Sequence, residues 1–483
     1  MDVQTPDWVK HAVFYQIFPD RFARTHRVHN KPEMAVTLEP WNATPTLTGY
    51  KGGDLWGAID KLDYLKDLGI TALYLTPIFR SPSNHRYHTH DYYQVDPLLG
   101  GNEAFADFLA AAHQRDLKVV LDGVFNHASR GFFFFNDILE NGPHSPWLEW
   151  FQVDQWPLSA YDGSLPANYI SWVDNRALPQ FRHSNPAVRE YIMQIAEYWI
   201  EQGIDGWRLD VPAEVEVEGF WQEFRDRVKA INPDAYIVGE IWTDARQWLD
   251  GTQFDAVMNY LFTGPTLAFT AGDRVVMEHV EAPEYYPYPA LDAAGYAAKM
   301  QHLLDLYPWE IQLAQLNLLS SHDVPRAATV VAEDAASYNL ALLLQMTFPG
   351  TPCIYYGDEV GLVGGMDPEN RRGFPPEKDW NSDLLATHKT LIALRHRHPA
   401  LRTGTYQVVA TEGLCYVFER SLPTETVLVA VNAGETAAVV ELSKSQLASD
   451  NFPQTVLYGS GEGEWCEKTL RLSLPARSGL VMG

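Results

Sequence analysis

Three cysteines in 483 residues, Cys353, Cys415 and Cys466, lie far apart with no CxxC pair. That spacing excludes a disulfide scaffold and a cysteine-ligated zinc site. No apolar run is long enough to span a bilayer, and the opening MDVQTPDWVKHAVFYQ lacks the basic head, apolar run and small-residue cleavage site of an export signal. Positive charge is also scarce, with 36 Lys and Arg against 62 Asp and Glu and a formal net charge of -26. Nucleic acid and anionic membrane surfaces both need concentrated Lys and Arg, so neither is an expected partner. Internal repeats and low-complexity tracts are missing too. What remains is a cytoplasmic globular protein, 46% hydrophobic, long enough for two or three domains and suited to a neutral or cationic ligand.

Over the first four hundred residues, short apolar runs alternate with helical patterns. The runs are AVFYQIF at 12, ITALYLTP at 70, LKVVLDGV at 117, DGWRLDV at 205, AYIVGEIW at 235, FDAVMNY at 254, QLNLLSSHD at 315 and TPCIYYGDE at 351. Between them stand amphipathic stretches such as NPAVREYIMQIAEYWIEQG, where Asn185 can cap and Pro186 takes the first helical position. Near-continuous apolar strands separated by helices imply a parallel sheet covered on both faces. Eight of them predict an α/β fold with a closed (β/α)8 TIM barrel, over residues 1–127 and 176–398.

Two interruptions mark further units. After the third strand, residues 128–175 are rich in aromatics, Gly and Pro and read as a small irregular domain inserted in the barrel. Phe132 to Phe135 are expected mostly to fill its local core, with Trp147 and Trp150 available to overhang a site. From 399 to 483 the pattern changes to closely spaced short strands, YQVVA, LCYVFER, TVLVAVNA, AAVVELS, QTVLYG and LRLSLP, which predict a C-terminal antiparallel β-sandwich.

In a barrel of this kind the chemistry sits at the C-terminal strand ends. Here the third strand ends in Asp122 with Asn126 and His127 following, the fourth in Asp210, the fifth in Glu240 and the seventh in His322 and Asp323. Strand alternation puts Arg208 on the same face as Asp210. Four carboxylates with one obvious cation are more than a structural ion pair requires, so at least one should keep its proton near neutral pH. Such a set suits glycosidic bond cleavage, with Asp210, held ionised by Arg208, as nucleophile and Glu240 as the protonated acid. Metal-assisted hydrolysis is the competing chemistry, because His88 and His90 form an HxH pair that His127, His322 and Asp323 could complete. That pair lies in a loop past the second strand, and not at the end of the first where a metal-dependent barrel carries it.

The segments DGVFNH, GIDGWRLDV, VGEIW and LLSSHD, in this order, resemble the four sequence regions of glycoside hydrolase family 13, the α-amylase family. FPDRFA, YKGGDLWG and YYGDEVGLVGGMDPENRRGF are similar to the neopullulanase, cyclomaltodextrinase and maltogenic amylase branch. The resemblance implies that Asp210 is the nucleophile, Glu240 the general acid/base and Asp323 the transition-state stabiliser. It implies that His127, Arg208 and His322 grip the sugar at the cleavage point, that Tyr87 stacks beneath it, that Asp367 and Arg371 hold the next sugar and that Trp242 faces the leaving group. No cofactor is expected. The loop RFARTHRVHNKPE is basic where calcium-binding relatives present oxygens, and Asp54 alone makes no site.

The chain departs from that branch in three places. Its barrel begins almost at once in this sequence, without the N-terminal β-domain the branch usually carries, so the cleft is expected to be open on one side with the insert aromatics as a stacking wall on the other. Gln180, Phe181 and Arg182 stand where Lys, Leu and Asn are typical, and Pro212 and Ala213 follow Asp210 in place of Ala-Asn. The expected function is retaining hydrolysis of an α-glucan oligosaccharide or polysaccharide at α-1,4 and, by the neopullulanase likeness, α-1,6 bonds, by a monomer or homodimer. A transglycosylase of the same family and a non-catalytic glucan-binding scaffold are the alternatives.

Overall fold

Eight short strands form the centre of the computed structural model, which describes residues 3–28, 36–280, 289–448 and 451–483. They are β1 (Phe14–Ile17), β2 (Ala72–Leu75), β3 (Lys118–Gly123), β4 (Gly206–Leu209), β5 (Tyr236–Gly239), β6 (Ala256–Val257), β7 (Leu316–Leu318) and β8 (Thr351–Tyr355). Each falls inside one of the eight apolar runs. The hydrogen-bonded order is β6-β5-β4-β3-β2-β1-β8-β7, with every pair parallel. A parallel bridge between Met258 and Leu316 joins the two ends and closes the barrel. Strand residues are almost all buried because helices cover the outside.

One ribbon was not legible in the sequence. Phe79–Arg80 pairs antiparallel with Asp91–Val95, and the turn between them carries residues 81–90 over the strand ends. In the insert, α1 (Phe133–Asn141) is followed by irregular chain held by bridges between Phe151 and Phe181, Val153 and Tyr169, Ser171 and Pro179, and His127 and Gln180. Phe132 and Phe135 are buried, Phe134 stacks flat on Trp147 at 3.7 Å, and Trp150 packs edge-on against both Phe134 and Trp147. Phe133 alone of the four is exposed. Phe132, Phe134, Phe135, Trp147 and Trp150 therefore make the insert's core, and none of them lines the cavity at the strand ends as a stacking wall, since burying them together removes more apolar surface from water than lining an open cleft would.

The chain returns to the barrel through α2 (Pro186–Glu201), where Asn185 accepts from the Ala187 N–H at 2.9 Å and Pro186 opens the helix as expected. Its Val188, Ile192, Ile195, Ala196 and Trp199 face the barrel. After the last barrel helix come β9 (Thr405–Glu412), β10 (Cys415–Leu422), β11 (Glu425–Asn432), β12 (Ala438–Ser443), β13 (Val456–Gly459), β14 (Glu462–Cys466), β15 (Thr469–Leu474) and β16 (Ser478–Met482). They form antiparallel sheets of order β9-β10-β11-β16-β13 and β12-β15-β14. Strand alternation explains why β10 and β11 are buried on both faces. Val417, Leu428 and Ala430 join Val440, Leu442 and Leu472 between the sheets, while Tyr416, Phe418, Val427 and Val429 join the main core. Arg420, on β10, fastens the two units by donating to the carbonyls of Thr347, Leu401, Gly404 and Thr405.

Candidate active site

The strand ends, the ribbon turn, the insert and the loop after β8 meet around a cavity of about 330 Å³. Of the ten residues expected to form a site, Tyr87, His127, Asp210, Glu240, Asp323, Asp367 and Arg371 line it. Arg208, Trp242 and His322 stand behind those and hold them. His85, His88, Trp172, Asn175, Leu178 and Val211 complete the lining.

Arg208 organises the acids. Register pairs Asp122 on β3 with Arg208 on β4, so the two reach the same level of the barrel. Nη1 of Arg208 lies 2.9 Å from Asp122 Oδ1 and 2.9 Å from Asp210 Oδ1, and Nη2 lies 2.8 Å from Glu240 Oε2 and 3.9 Å from Asp323 Oδ2. One fully buried guanidinium thus serves four carboxylates. Arg208 was expected to hold Asp210 ionised as the one obvious cation among four acids, and it is shared among all four. Burial pushes the Asp210 carboxyl well above the usual carboxylate range against the pull of Arg208, and Glu240, Asp122 and Asp323 add to the rise. Burial and Glu240 likewise push Asp323 up to about 7, against Arg208 and Arg371. Solvent works against that rise, because 26% of the Asp323 side chain is exposed.

The backbone leaves the β conformation immediately after Asp210. Val211 sits at φ 36°, ψ 50°, a left-handed position that is strained for a β-branched residue. The turn aims the Val211 N–H at Glu240 Oε2, 3.1 Å away, and Pro212 then starts a short 3-10 turn. Trp242 does not line the cavity. Its indole N–H donates to Glu240 Oε1 at 3.0 Å while the ring stacks on Tyr260 at 4.0 Å.

A second set of contacts fixes Tyr87. Its hydroxyl donates to Asp122 Oδ2 at 2.9 Å and meets His322 Nε2, and the two rings stack with 3° between their planes. Gln16, at the end of β1, donates to His322 Nδ1 at 2.7 Å, which leaves the His322 proton on Nε2. Tyr74 donates to Asp122 Oδ2 at 2.6 Å. Arg371 pairs with Asp367 at 3.0 Å, lies 3.6 Å from Asp323 and donates through Nε to the His322 carbonyl. His127 lies flat against Trp172, with ring centres 5.2 Å apart, and its buried Nε2 has no partner among the described residues.

Gln16, Trp172 and His85 escaped the sequence reading. A polar residue at the end of an apolar strand was the available signal for Gln16. Trp172 had none, being one aromatic among many in the insert. Asp54, the lone acid of the calcium reading, caps a helix by accepting from Gly57 N and also takes the Thr25 N–H. Among the described residues, no three His, Cys, Asp or Glu side chains group as a metal-binding set.

The α-amylase catalytic-domain model matches residues 16–379, and the α-amylase C-terminal-domain model matches 404–482. The chain belongs to the α-amylase family of glycoside hydrolases. It is similar to the debranching enzyme of Nostoc punctiforme, at 62% identity, a TM-score of 0.93 and full coverage of both chains. Neopullulanase 2 of Thermoactinomyces vulgaris is 44% identical over 443 residues, 90% of this chain and 72% of that protein. The cyclic α-maltosyl-(1→6)-maltose hydrolase of Arthrobacter globiformis is 36% identical, with a TM-score of 0.86 over 99% of both chains. Among the described residues, no helix of this α-amylase family member is long and apolar enough to cross a membrane.

Proposed function

We propose that the protein is a retaining α-glucan hydrolase that cleaves α-1,4 and α-1,6 glucosidic bonds. The observation that carries this reading is the convergence of Asp122, Asp210 and Glu240 on the single guanidinium of Arg208, with Asp323 across the same cavity. Arg208 holds Oδ1 of Asp210, and Oδ2 attacks the anomeric carbon. Glu240 gives its proton to the departing glycosidic oxygen, so the glucan leaves as a neutral alcohol and a glycosyl ester forms on Asp210. Water then attacks the same carbon from the vacated face, Glu240 takes its proton, and the ester bond to Asp210 breaks. Asp323 faces the positive charge that develops on the sugar ring. His127 and Tyr87 bind that ring, His322 fixes Tyr87, and Asp367 and Arg371 take the next unit.

The α-1,6 part of the reading is supported by likeness to proteins named debranching enzyme and neopullulanase. A resident metal is given no part, since two carboxyls carry every proton and bond, and full activity is expected in EDTA. Three free cysteines support a reducing, cytoplasmic setting.

Early-time NMR of maltohexaose and pullulan digests tests the proposal. The α-anomer is expected first from both; initial β-anomer would overturn retention, and intact pullulan would overturn the α-1,6 assignment. Asp210→Asn should lower kcat by about four orders of magnitude while the protein stays folded.

A further inference from the structure

His88 and His90 have no place in the mechanism above, and the structure separates them. His90 packs on Gly131, where a methyl group would sit 2.2 Å from the imidazole Nε2. His88 lines the catalytic cavity on the ribbon turn, its ring edge-on to His85 at 5.1 Å. The other imidazoles at the cavity or just behind its wall are engaged in part or whole. His322 uses both nitrogens, His85 Nδ1 accepts from the Tyr87 N–H at 3.2 Å, and His127 Nδ1 accepts from the Asn126 side-chain amide at 3.3 Å. Neither nitrogen of His88 has a hydrogen-bond partner among the described residues, and neither is sealed off.

Burial, with Arg130 and His90 adding, pushes His88 down to about 4. At neutral pH its ring offers one N–H and one lone pair. A sugar hydroxyl is likewise both donor and acceptor. A ligand that displaced water from His88 without replacing those two bonds would leave buried polar atoms unpaired.

We propose that His88 is a glucan-binding residue whose two ring nitrogens hydrogen-bond hydroxyls of a glucose unit held against the ribbon turn. The proposal rests on the α-glucan reading of the site. His88 acts on ground-state affinity and takes no part in bond cleavage, because it touches none of the carboxylates grouped on Arg208.

The test is steady-state kinetics on maltohexaose with H88A, H88F and H88N, alongside their Tm values. Loss of the two bonds in H88A and H88F should raise KM about tenfold with kcat within about twofold, the pattern of removed uniform binding. H88N, which restores a donor and an acceptor without the ring, should recover much of that loss. If H88A does not fold, H88F against H88N carries the comparison. An H88F enzyme with wild-type KM would show that His88 only fills space, and would overturn the proposal. No turnover of maltohexaose by the wild-type enzyme would instead bring down the α-glucan reading itself, and the role of His88 with it.

Discussion

The indole N–H of Trp242 donates to Oε1 of Glu240 at 3.0 Å, while the other oxygen of that carboxyl is held by Arg208 and by the Val211 N–H. Both oxygens are therefore fixed in direction, one by a side chain two residues on and one by a strained backbone turn. Proton transfer to a leaving oxygen depends on that orientation more than on affinity for substrate.

Trp242→Phe should accordingly lower kcat about tenfold with KM within twofold. Phenylalanine keeps the stack on Tyr260, so a role in packing alone would leave kcat unchanged. Measuring both constants on maltohexaose separates the two.

The acid limb of kcat/KM should lie above the usual carboxylate range. In the proposed mechanism Asp210 attacks only when ionised, and burial raises its pKa well above the usual range. Falling pH therefore protonates it early, and activity drops with it. Asp122→Asn removes one of the negative charges that oppose ionisation of Asp210, so the limb should move to lower pH. A limb within the usual carboxylate range that is insensitive to Asp122→Asn would show that burial does not govern Asp210.

Glu359 gives a pH effect on stability that is separate from activity. It is fully buried, accepts from Tyr15 at 2.8 Å, Tyr64 at 2.7 Å and Gly357 N at 2.9 Å, and burial pushes its carboxyl up to about 7. A carboxyl raised in the folded state favours folding most below its unfolded pKa, and that contribution is lost as pH rises through 7. Wild-type protein should lose on the order of 2 kcal/mol between pH 5 and 8 that Glu359→Gln does not lose, whatever the absolute cost of the substitution. Parallel denaturation curves for the two proteins across that range would refute it.

How far the sequence reveals this molecule depends on whether neighbours in the chain carry the signal. The eight barrel strands were legible because parallel strands buried on both faces read as apolar runs. The ribbon at Phe79–Arg80 was not, since two residues cannot show a period, and β14, EGEWC, reads as a polar loop because it is a sheet edge. Asp210, Glu240 and Asp323 were legible as acids at strand ends. That Asp122 and Glu240 share the guanidinium of Arg208 is set by barrel register, which no local pattern carries. Nor can composition separate Trp147, which packs in the insert core, from Trp172, which faces the cavity.

Trp172 offers a test of that distinction. It lines the cavity, stacks on His127, and is followed by two non-glycine residues in left-handed geometry, Val173 at φ 44° and Asp174 at φ 58°. Such positions cost about 1–3 kcal/mol each, and Val173 is 71% exposed, so no packing of its side chain offsets the cost. The turn is held from both sides, Trp172 N donating to Leu178 O at 3.0 Å and Asn175 N to Trp172 O at 2.9 Å. The strain is thus local and serves to present the indole. Trp172→Ala removes the platform and should raise KM on maltohexaose about tenfold with little change in Tm, while Trp172→Phe should keep most of the affinity. Val173→Asn, whose short polar side chain tolerates the left-handed region, should do the reverse, adding up to about 1 kcal/mol of stability without moving KM. If Trp172→Ala lowers Tm by several degrees and leaves KM alone, the ring belongs to the insert core after all, and the cavity wall at that point is only backbone.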